Sequence, residues 1–395
     1  MSRYRLALSP VQETALREHC AHARFVWNLC VEQEAEWRPG RGKMPRFAGR
    51  CRQLSEARAE NPWLAAGSVI VQQQAIRDHD QAMANFFAGT HRRPSWRKAG
   101  RDEGFRVVAV RPGDVRRLNR KLAEVRVPKA GWVRFRLSRP VPEDVKSFRV
   151  TLDRAGRWHV AFAAIPDPVP GPGNGEVAGV DRGVAVSAAL STGETLNVPR
   201  LSPGRQQRLV RLQRKLARAR KGSRRRGKVK LAVARLKARE ADARKDWCEK
   251  VSTDLARRFD VIRVEDLKIG NMTRSARGTI EQPGRNVQAK AGLNREIARS
   301  GWGLLVARLE QKAPGRVEKV NPAYTSQRCS ACGHVDAKAR ESQAVFACTA
   351  CGSAANADVN AARNIAAGHA VTARGGSGLP GPVNREPQPV LLPAA

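Results

Sequence analysis

Four cysteines in the last third of the chain are spaced as two Cys-x-x-Cys pairs. Cys329 and Cys332 stand in the stretch TSQRCSACG, and Cys348 and Cys351 follow after fifteen intervening residues. Each pair holds two thiolates within reach of one ion, and two pairs complete the closed tetrahedral set that binds structural zinc. The spacing therefore predicts a zinc ribbon that holds one Zn²⁺.

Three acidic residues at the ends of predicted elements indicate a second metal centre. Asp181 follows a short apolar strand, Glu265 ends the strand FDVIRVE, and Asp358 opens the helix DVNAARNIA seven positions after the last thiol. Hard cations such as Mg²⁺ take carboxylate oxygens from convergent positions and keep waters for a substrate phosphate. A pair of such ions can promote the hydrolysis of a phosphodiester. We predict that these carboxylates bind Mg²⁺, or Mn²⁺ in its place.

Two of these acids also have a simpler interpretation. Glu265 could be a strand-end charge that pairs with an arginine, and Asp358 could be the N-cap of its helix, a role compatible with metal binding. Asp181 differs from both, because a carboxylate at the end of a buried strand, beside a tight glycine turn, is costly without a metal or a partner.

The charge balance indicates a polyanionic partner. Lys and Arg total 73 against 36 Asp and Glu, a net charge of +37. Such a surplus favours nucleic-acid binding, and a general arginine bias in the composition is the alternative. The chain has no run of about 18 apolar residues that would predict a membrane span, and its N-terminus lacks the pattern of a secretory signal. We expect a cytoplasmic protein with reduced thiols at Cys20, Cys30, Cys51 and Cys248.

The elements that must position these residues follow from periodicity. Residues 3–8 alternate as a strand, and helical spacing predicts helices from Ser9-Pro10 to about 37, over 47–60 and over 67–88. We expect His19 and His79 to be core or boundary histidines there, and Trp27, Phe86 and Phe87 to be core aromatics. Five strands between 104 and 165 would form a small antiparallel barrel with a basic face that includes Arg134 and Arg136.

A Pro/Gly-rich linker at 166–175 separates this part from the acidic residues. After the Asp181 strand, residues 202–258 predict a basic helical hairpin with an elbow at 221–228 that faces nucleic acid. Residues 270–290 lack periodicity and predict a mobile loop, followed by one helix over 293–312 and the strand RVEKVN. The tail at 370–395, rich in Gly and Pro, predicts disorder.

Several of these stretches resemble the motifs of the TnpB proteins encoded by insertion sequences. These proteins are compact RNA-guided DNA nucleases related to the type V CRISPR effectors. The resemblance covers roughly residues 3–368 and is carried by YRLALSP, ARFVWN and IRDHDQAMANFF near the N-terminus, and by GVDRGV (179–184), VIRVEDLKIGNM (261–272), TSQRCSACG (325–333), the second CxxCG and DVNAARNI (358–365).

The resemblance implies an α/β and α+β multidomain fold. A wedge β-barrel with an inserted helical recognition lobe (helices at about 9–100) would occupy 1–165, and an RNase H-like (RuvC) nuclease domain 176–326. The zinc ribbon would be inserted at 327–352, and the last RuvC segment would be 353–369. Asp181, Glu265 and Asp358 would be the metal-bound catalytic triad. Family members often carry Asp where this chain has Asn356, but the presence of Asp358 favours an active site.

The function implied by the resemblance is RNA-guided, Mg²⁺-dependent endonucleolytic cleavage of DNA next to a short flanking motif, with each strand cut in turn. The partners would be a guide RNA derived from the end of a transposable element and double-stranded target DNA. The resemblance also implies a bacterial protein that acts at the nucleoid. No membrane partner is expected, and a monomer is favoured. The alternatives are a nuclease-silent RNA-guided repressor, a transposase that joins DNA strands, and a miniature type V CRISPR effector.

Overall fold

The computed structural model describes residues 2–38, 40, 44–101, 103–164, 166–342 and 344–368. The tail predicted to be disordered at 370–395 lies outside the described residues. The helices are α1 (Pro10–Glu36), α2 (Phe47–Glu60), α3 (Pro62–Ala66), α4 (Val69–Phe87), α5 (Pro203–Arg218), α6 (Arg224–Arg258), α7 (Ile269–Met272), α8 (Val287–Ser300), α9 (Trp302–Lys312) and α10 (Ala357–Ala366). A short 3₁₀ turn spans Ala337–Ala339.

The strands are β1 (Ser2–Ala7), β2 (Gly104–Val108), β3 (Val115–Arg117), β4 (Leu122–Val127), β5 (Gly131–Arg136), β6 (Ser147–Leu152), β7 (Trp158–Ala163), β8 (Val177–Asp181), β9 (Ala188–Leu190), β10 (Thr195–Leu196), β11 (Val261–Glu265), β12 (Val317–Val320), β13 (Val345–Ala347) and β14 (Ala354–Asn356). The chain divides into two compact units. The first contains residues up to Pro166 with Gly204–Ala238, and the second contains Asp167–Pro203 with the residues from Arg239 onward.

The first unit is built on a seven-stranded antiparallel sheet in the order β2-β6-β7-β1-β5-β4-β3. Its interior contains the rings of Tyr4, Phe135 and Phe162, whose centroids lie 5.2 to 5.6 Å apart. The outward positions of β5 are exposed arginines, Arg134 and Arg136, so the predicted basic face is confirmed. In the described part of the chain β2 and β3 end the strand order without pairing with each other, so a closed barrel stays a prediction.

The N-terminal helices of this unit follow local signals closely. Ser9 caps α1 in a reciprocal capping box with Gln12, and Pro10 occupies the first turn. His19 and His79 are buried, as predicted, and burial lowers the pKa of His79 to about 4. The prediction that Phe87 is a core aromatic is wrong. It ends α4 with 77% of its surface exposed.

The second unit contains a five-stranded mixed sheet in the order β10-β9-β8-β11-β12. The three strands β8, β11 and β12 are parallel, whereas β9 runs antiparallel to both of its neighbours, β8 and β10. One buried apolar cluster joins the sheet to α6 and α9, with Val264, Leu255 and Leu305 among its members. Among the described helices of the chain, none combines the length and apolar character required to cross a bilayer.

Glycine explains one difference between prediction and structure in this unit. The helix predicted over 293–312 is two helices, α8 and α9, which meet at Gly301. Gly301 has a φ of +72°, a left-handed conformation that ends α8 and redirects the chain. The single-helix prediction is therefore wrong. Helix α8 also begins at Val287, inside the stretch predicted as loop.

Candidate functional site

The parallel pairing of β8 and β11 brings two of the predicted acids to the same edge of the sheet. Val180 lies opposite Val264 in the register, so Asp181 and Glu265 are neighbours at the carboxyl ends of adjacent strands. Ligand and catalytic groups of open α/β sheets commonly gather at this edge. Glu265 is buried and Asp181 is partly buried.

Helix α10 brings the third acid. The helix lies so close to β8 that a Cβ atom added at Gly179 would be 2.0 Å from the carbonyl oxygen of Ala362. Asp358 stands in the first turn of this helix, and its side chain is 13% exposed. The three carboxylates therefore come from two strand ends and one helix start.

The N-cap of α10 is Asn356 and not Asp358, so the N-cap interpretation of Asp358 is wrong. The Asn356 side-chain oxygen accepts the backbone N–H groups of Asp358 at 3.0 Å and Val359 at 3.2 Å. Asparagine caps a helix as well as aspartate does. Asn356 thus caps the helix start and leaves the Asp358 carboxylate available for other partners.

The three carboxylates repel one another. The pKa of Asp181 is raised to about 7, first by burial and then by the charges of Glu265 and Asp358. Burial also raises the pKa of Glu265. A concentration of negative charge at a partly buried position favours a bound cation, and carboxylate oxygens are the ligands that Mg²⁺ prefers. The residues present thus fit a hard divalent ion.

Glu265 is held by two groups from distant parts of the chain. The Thr325 hydroxyl donates to the Glu265 carboxylate (Oε1) at 2.7 Å, and the buried Arg182 guanidinium donates to the Glu265 backbone carbonyl. The charge of Arg182 also opposes the rise in the pKa of Glu265. The carboxylate itself thus takes a hydroxyl as its hydrogen-bond donor, while the arginine fixes the strand end.

A further positive group at the acidic cluster, the Arg340 side chain, comes from the stretch between the two cysteine pairs. The Arg340 guanidinium donates to Oδ1 of Asp358 at 3.2 Å. Its charge also counteracts the raised pKa of Asp181. This arginine therefore lies at the acidic cluster, although it is separated from Asp358 by 18 positions in the sequence.

The four cysteines form a compact group. Their sulfurs all lie within 4.8 Å of one another, and Sγ–Sγ distances are 3.8 Å for Cys329–Cys351 and 3.6 Å for Cys332–Cys348. A tetrahedron with Zn–S bonds of about 2.3 Å has edges of about 3.8 Å. Backbone N–H groups, of Cys351 first, also lower the pKa of Cys348 to about 6. The predicted cysteine cluster is confirmed, and its geometry fits zinc.

The thiols and the carboxylates differ in spacing. Within the described ranges, the four cysteines are the one set of at least three possible metal ligands whose ligand atoms all lie within 4.8 Å of one another. The ligand oxygens of Asp181, Glu265 and Asp358 do not all come within that distance of one another.

Helix α10 connects the cysteine cluster to the acidic cluster. The buried Asn360 accepts the backbone N–H of Ser330 at 2.9 Å and donates to the Arg328 carbonyl at 2.7 Å. One turn later, the buried Asn364 donates to the carbonyls of Arg328 and Thr325 at 2.7 and 2.9 Å. The loop that enters the first Cys-x-x-Cys pair is therefore fixed to the helix that carries Asp358, and the same loop carries Thr325.

Comparison with known proteins gives relatives that match along most or all of the chain. A "Putative RNA-guided DNA endonuclease InsQ" of Escherichia coli K12 is 36% identical over 401 residues, which covers 100% of this chain and 98% of that protein. A "Putative RNA-guided DNA endonuclease" of Streptomyces pristinaespiralis is 30% identical over 382 residues, covering 94% and 90%. Family profiles match as "Helix-turn-helix domain" (2–43), "Probable transposase" (159–276) and "Cas12f1-like, TNB domain" (302–365).

The chain belongs to the TnpB (IS605 OrfB) family. The fold is likewise similar to that of the protein in a cryo-EM structure of a Cas12f1–sgRNA–target DNA complex, with a TM-score of 0.55 at 14% identity. That similarity covers 90% of this chain and 83% of the other. The family's helix-turn-helix segment corresponds here to β1 and the single long helix α1 in the described part of 2–43.

Sequence reasoning missed three residues at this site: Arg182, Thr325 and Arg340. Arg182 and Thr325 lie inside stretches that carry the family resemblance, GVDRGV and TSQRCSACG, which was the available signal. Arg340 lies between the cysteine pairs in a stretch without a pattern, so nothing local distinguished it from the other arginines of the chain.

Proposed function

We propose that this TnpB-family chain is an RNA-guided endonuclease that hydrolyses target DNA next to a short flanking motif. The observation that carries the proposal is that Asp181 and Glu265 end adjacent parallel strands, while Asp358 stands in the first turn of α10, which packs against β8. The identity of 36% with a named RNA-guided DNA endonuclease along the full chain supports it. The guide RNA would derive from the end of the transposable element. The enzyme would act as a monomer, and its nuclease domain would be of the RuvC type.

In this proposal the three carboxylates hold Mg²⁺ or Mn²⁺. Such ions would neutralise charge on the scissile phosphate and activate the attacking water. Asp181, whose pKa of about 7 is raised first by burial and then by the neighbouring negative charges, would bind such an ion in its ionised form. Thr325 keeps the Glu265 carboxylate in one orientation. Arg340, which pairs with Asp358, would exchange that carboxylate for a phosphate oxygen when substrate arrives.

The cysteine cluster would have a structural role. One Zn²⁺ bound by Cys329, Cys332, Cys348 and Cys351 would hold the ribbon closed. Asn360 and Asn364 hydrogen-bond the loop that enters the first Cys-x-x-Cys pair to α10. A folded zinc ribbon would therefore also keep Thr325 and Asp358 in place.

The test begins with the RNA that copurifies with the full chain expressed together with its native flanking DNA. After a high-salt wash we expect one dominant species with a fixed scaffold and a variable end. Reprogramming that end should direct Mg²⁺-dependent cleavage of a matching plasmid. A heterogeneous mixture of cellular RNA without an enriched end would contradict RNA guidance.

A matched set of variants then tests the site. Asp181→Asn and Asp358→Asn should abolish cleavage and retain binding of the target plasmid. Asp266→Asn is the control, because Asp266 adjoins Glu265 in sequence but pairs with Lys268 at 2.6 Å and is 41% exposed. Cleavage by Asp181→Asn at the rate of the control would rule out the proposed nuclease site. Loss of cleavage in all three variants would point to a general folding defect and would also contradict the assignment.

A further inference from the structure

A short connection in the first unit has a fixed backbone without regular secondary structure. Residues 91–98, here called the anchored segment, join α4 to β2 and have the sequence HRRPSWRK. The segment contains four arginine or lysine residues and no acid. All of its residues except Pro94 and Arg97 are exposed.

The backbone of the segment is held by side chains of α1. The Trp27 indole N–H donates to the Ser95 carbonyl at 3.0 Å. The Asn28 side chain accepts the Arg97 N–H at 2.8 Å and donates to the Arg97 carbonyl at 3.2 Å, as a neighbouring strand would. The Arg97 guanidinium also lies 3.5 Å from the centroid of the Trp27 ring. These contacts give a structural role to the stretch ARFVWN.

Further contacts fix both ends of the segment to the same helix. Near its start, the Arg93 guanidinium donates to the Glu34 carbonyl at 3.1 Å. Just beyond its end, Glu103 accepts the Gly100 N–H at 2.6 Å and is paired with Arg24 at 2.9 Å. The segment is thus preorganised, and a partner would not bear the entropic cost of ordering it.

Trp96 lies between the two anchored residues, Ser95 and Arg97. It is 55% exposed, whereas Trp27, which holds the segment, is 8% exposed. The exposed side chains of Arg92 and Lys98 flank it in sequence and make no hydrogen bond or ion pair within the described residues. A large exposed aromatic on a fixed backbone, with unpaired cations on both sides, is a typical composition of a single-strand nucleic-acid contact.

We propose that the anchored segment binds a single nucleic-acid strand, with an unpaired base stacked on Trp96 and phosphates contacted by Arg92 and Lys98. A protein partner is disfavoured, because the cores of protein interfaces are depleted of lysine, whereas the phosphates of a nucleic-acid strand would pair with both cations. The proposal rests on the proposed function for the existence of a nucleic-acid partner. The strand could be RNA or DNA, since both present bases and phosphates.

The test uses the full chain after nuclease treatment and a high-salt wash. Fluorescent oligouridylate, oligothymidylate and a duplex of unrelated sequence, each about 16 nucleotides long, are titrated at several salt concentrations. Trp96→Ala should weaken single-strand binding by about 5- to 100-fold, and Trp96→Phe should retain most of it. Trp63→Ala is the control, because Trp63 is 42% exposed in the same unit, and it should change binding less than twofold. The larger loss, on RNA or on DNA, identifies the strand.

The salt dependence separates stacking from charge. Trp96→Ala should leave the slope of log affinity against log salt unchanged, whereas Arg92→Ala and Lys98→Ala should each reduce it by about one. A 5-bromouracil strand should also photocrosslink to residue 96 in the wild type. Equal affinity of Trp96→Ala and Trp63→Ala, or an equal loss on duplex and single strand, would overturn the proposal.

These measurements are independent of the nuclease proposal. The probes need neither a guide nor a metal ion, so a null result here leaves DNA cleavage untouched. Conversely, an inactive nuclease that still binds these strands through Trp96 would support the segment and contradict the proposed function. Thermal unfolding of Trp96→Ala within about 2 °C of wild type checks the fold, as expected for an exposed side chain.

Discussion

The substitution Gly179→Ala tests whether close packing of α10 on β8 positions the acidic cluster. Its added Cβ would lie 2.0 Å from the Ala362 carbonyl oxygen and 2.4 Å from the Ala366 backbone nitrogen. Ordinary contact begins at 3.4 Å, so relief of the first overlap requires a shift of about 3.4 less 2.0, or 1.4 Å. Both contacted atoms are backbone atoms, so no rotamer change can absorb the overlap.

The expected cost follows from that shift. Inserting a methyl group into a packed interface costs about 1–3 kcal/mol. We expect the free energy of unfolding of the zinc-loaded protein to fall to that extent. Because Asp358 moves with α10, a displacement of about 1 Å should also reduce cleavage roughly 100-fold. Guide-RNA copurification should be unchanged if the first unit binds that RNA.

The assay is urea unfolding monitored by circular dichroism, together with single-turnover plasmid cleavage. Gly270→Ala is the matched control, because Gly270 follows Glu265 by five residues and a Cβ added there meets nothing within 4 Å. The control should remain within about 0.5 kcal/mol of wild type. If Gly179→Ala had the same free energy of unfolding and the same cleavage rate as Gly270→Ala, the close packing of α10 on β8 would not be what positions the site.

Three further outcomes are expected. Thr325→Val should lower cleavage about 10- to 100-fold with zinc content unchanged, and Thr325→Ser should restore it, because the hydroxyl orients Glu265; an active valine variant would contradict this role. The folded-state pKa of Asp181, about 7, exceeds its ordinary value of 3.8. Between about pH 4 and 7 the folded protein therefore retains a proton on Asp181 that the unfolded chain has lost. Without divalent ions, the free energy of unfolding should decrease as the pH rises from about 4 to 7, by at most about 1.4 kcal/mol per pH unit. Asp181→Asn should flatten a urea-unfolding profile over this range, and an unchanged slope would assign it to other groups. Cys348→Ser should reduce bound zinc, measured by elemental analysis, from one ion per chain and lower the melting temperature, whereas Cys51→Ser should retain the ion; full zinc in Cys348→Ser would exclude the four-thiolate site.

Local patterns in the sequence determined much of the fold. The alternation around Tyr4 and Phe135, the Ser9-Pro10 helix start and the Cys-x-x-Cys spacing each depend on residues within a few positions of one another. Their structural consequences are set by backbone geometry and side-chain reach, so they could be recognised without knowledge of the tertiary structure.

Other features depended on the pairing of distant segments. The partners of Glu265 come from Arg182 and Thr325, which are 83 and 60 positions away. The role of Asn356 as the cap, and so the availability of Asp358, could not be read from spacing, because either residue is a good N-cap. The local sequence likewise did not distinguish Arg340, which contacts Asp358, from the other arginines of the chain.

The sequence by itself thus determined which residue types could bind metal and which elements carry them. Only the tertiary structure decided how they converge, through the parallel register of β8 and β11 and the approach of α10 at Gly179. The physical reason is that hydrogen-bonded registers and helix packing form between segments far apart in the chain. Their energies depend on shape and burial that no local window contains.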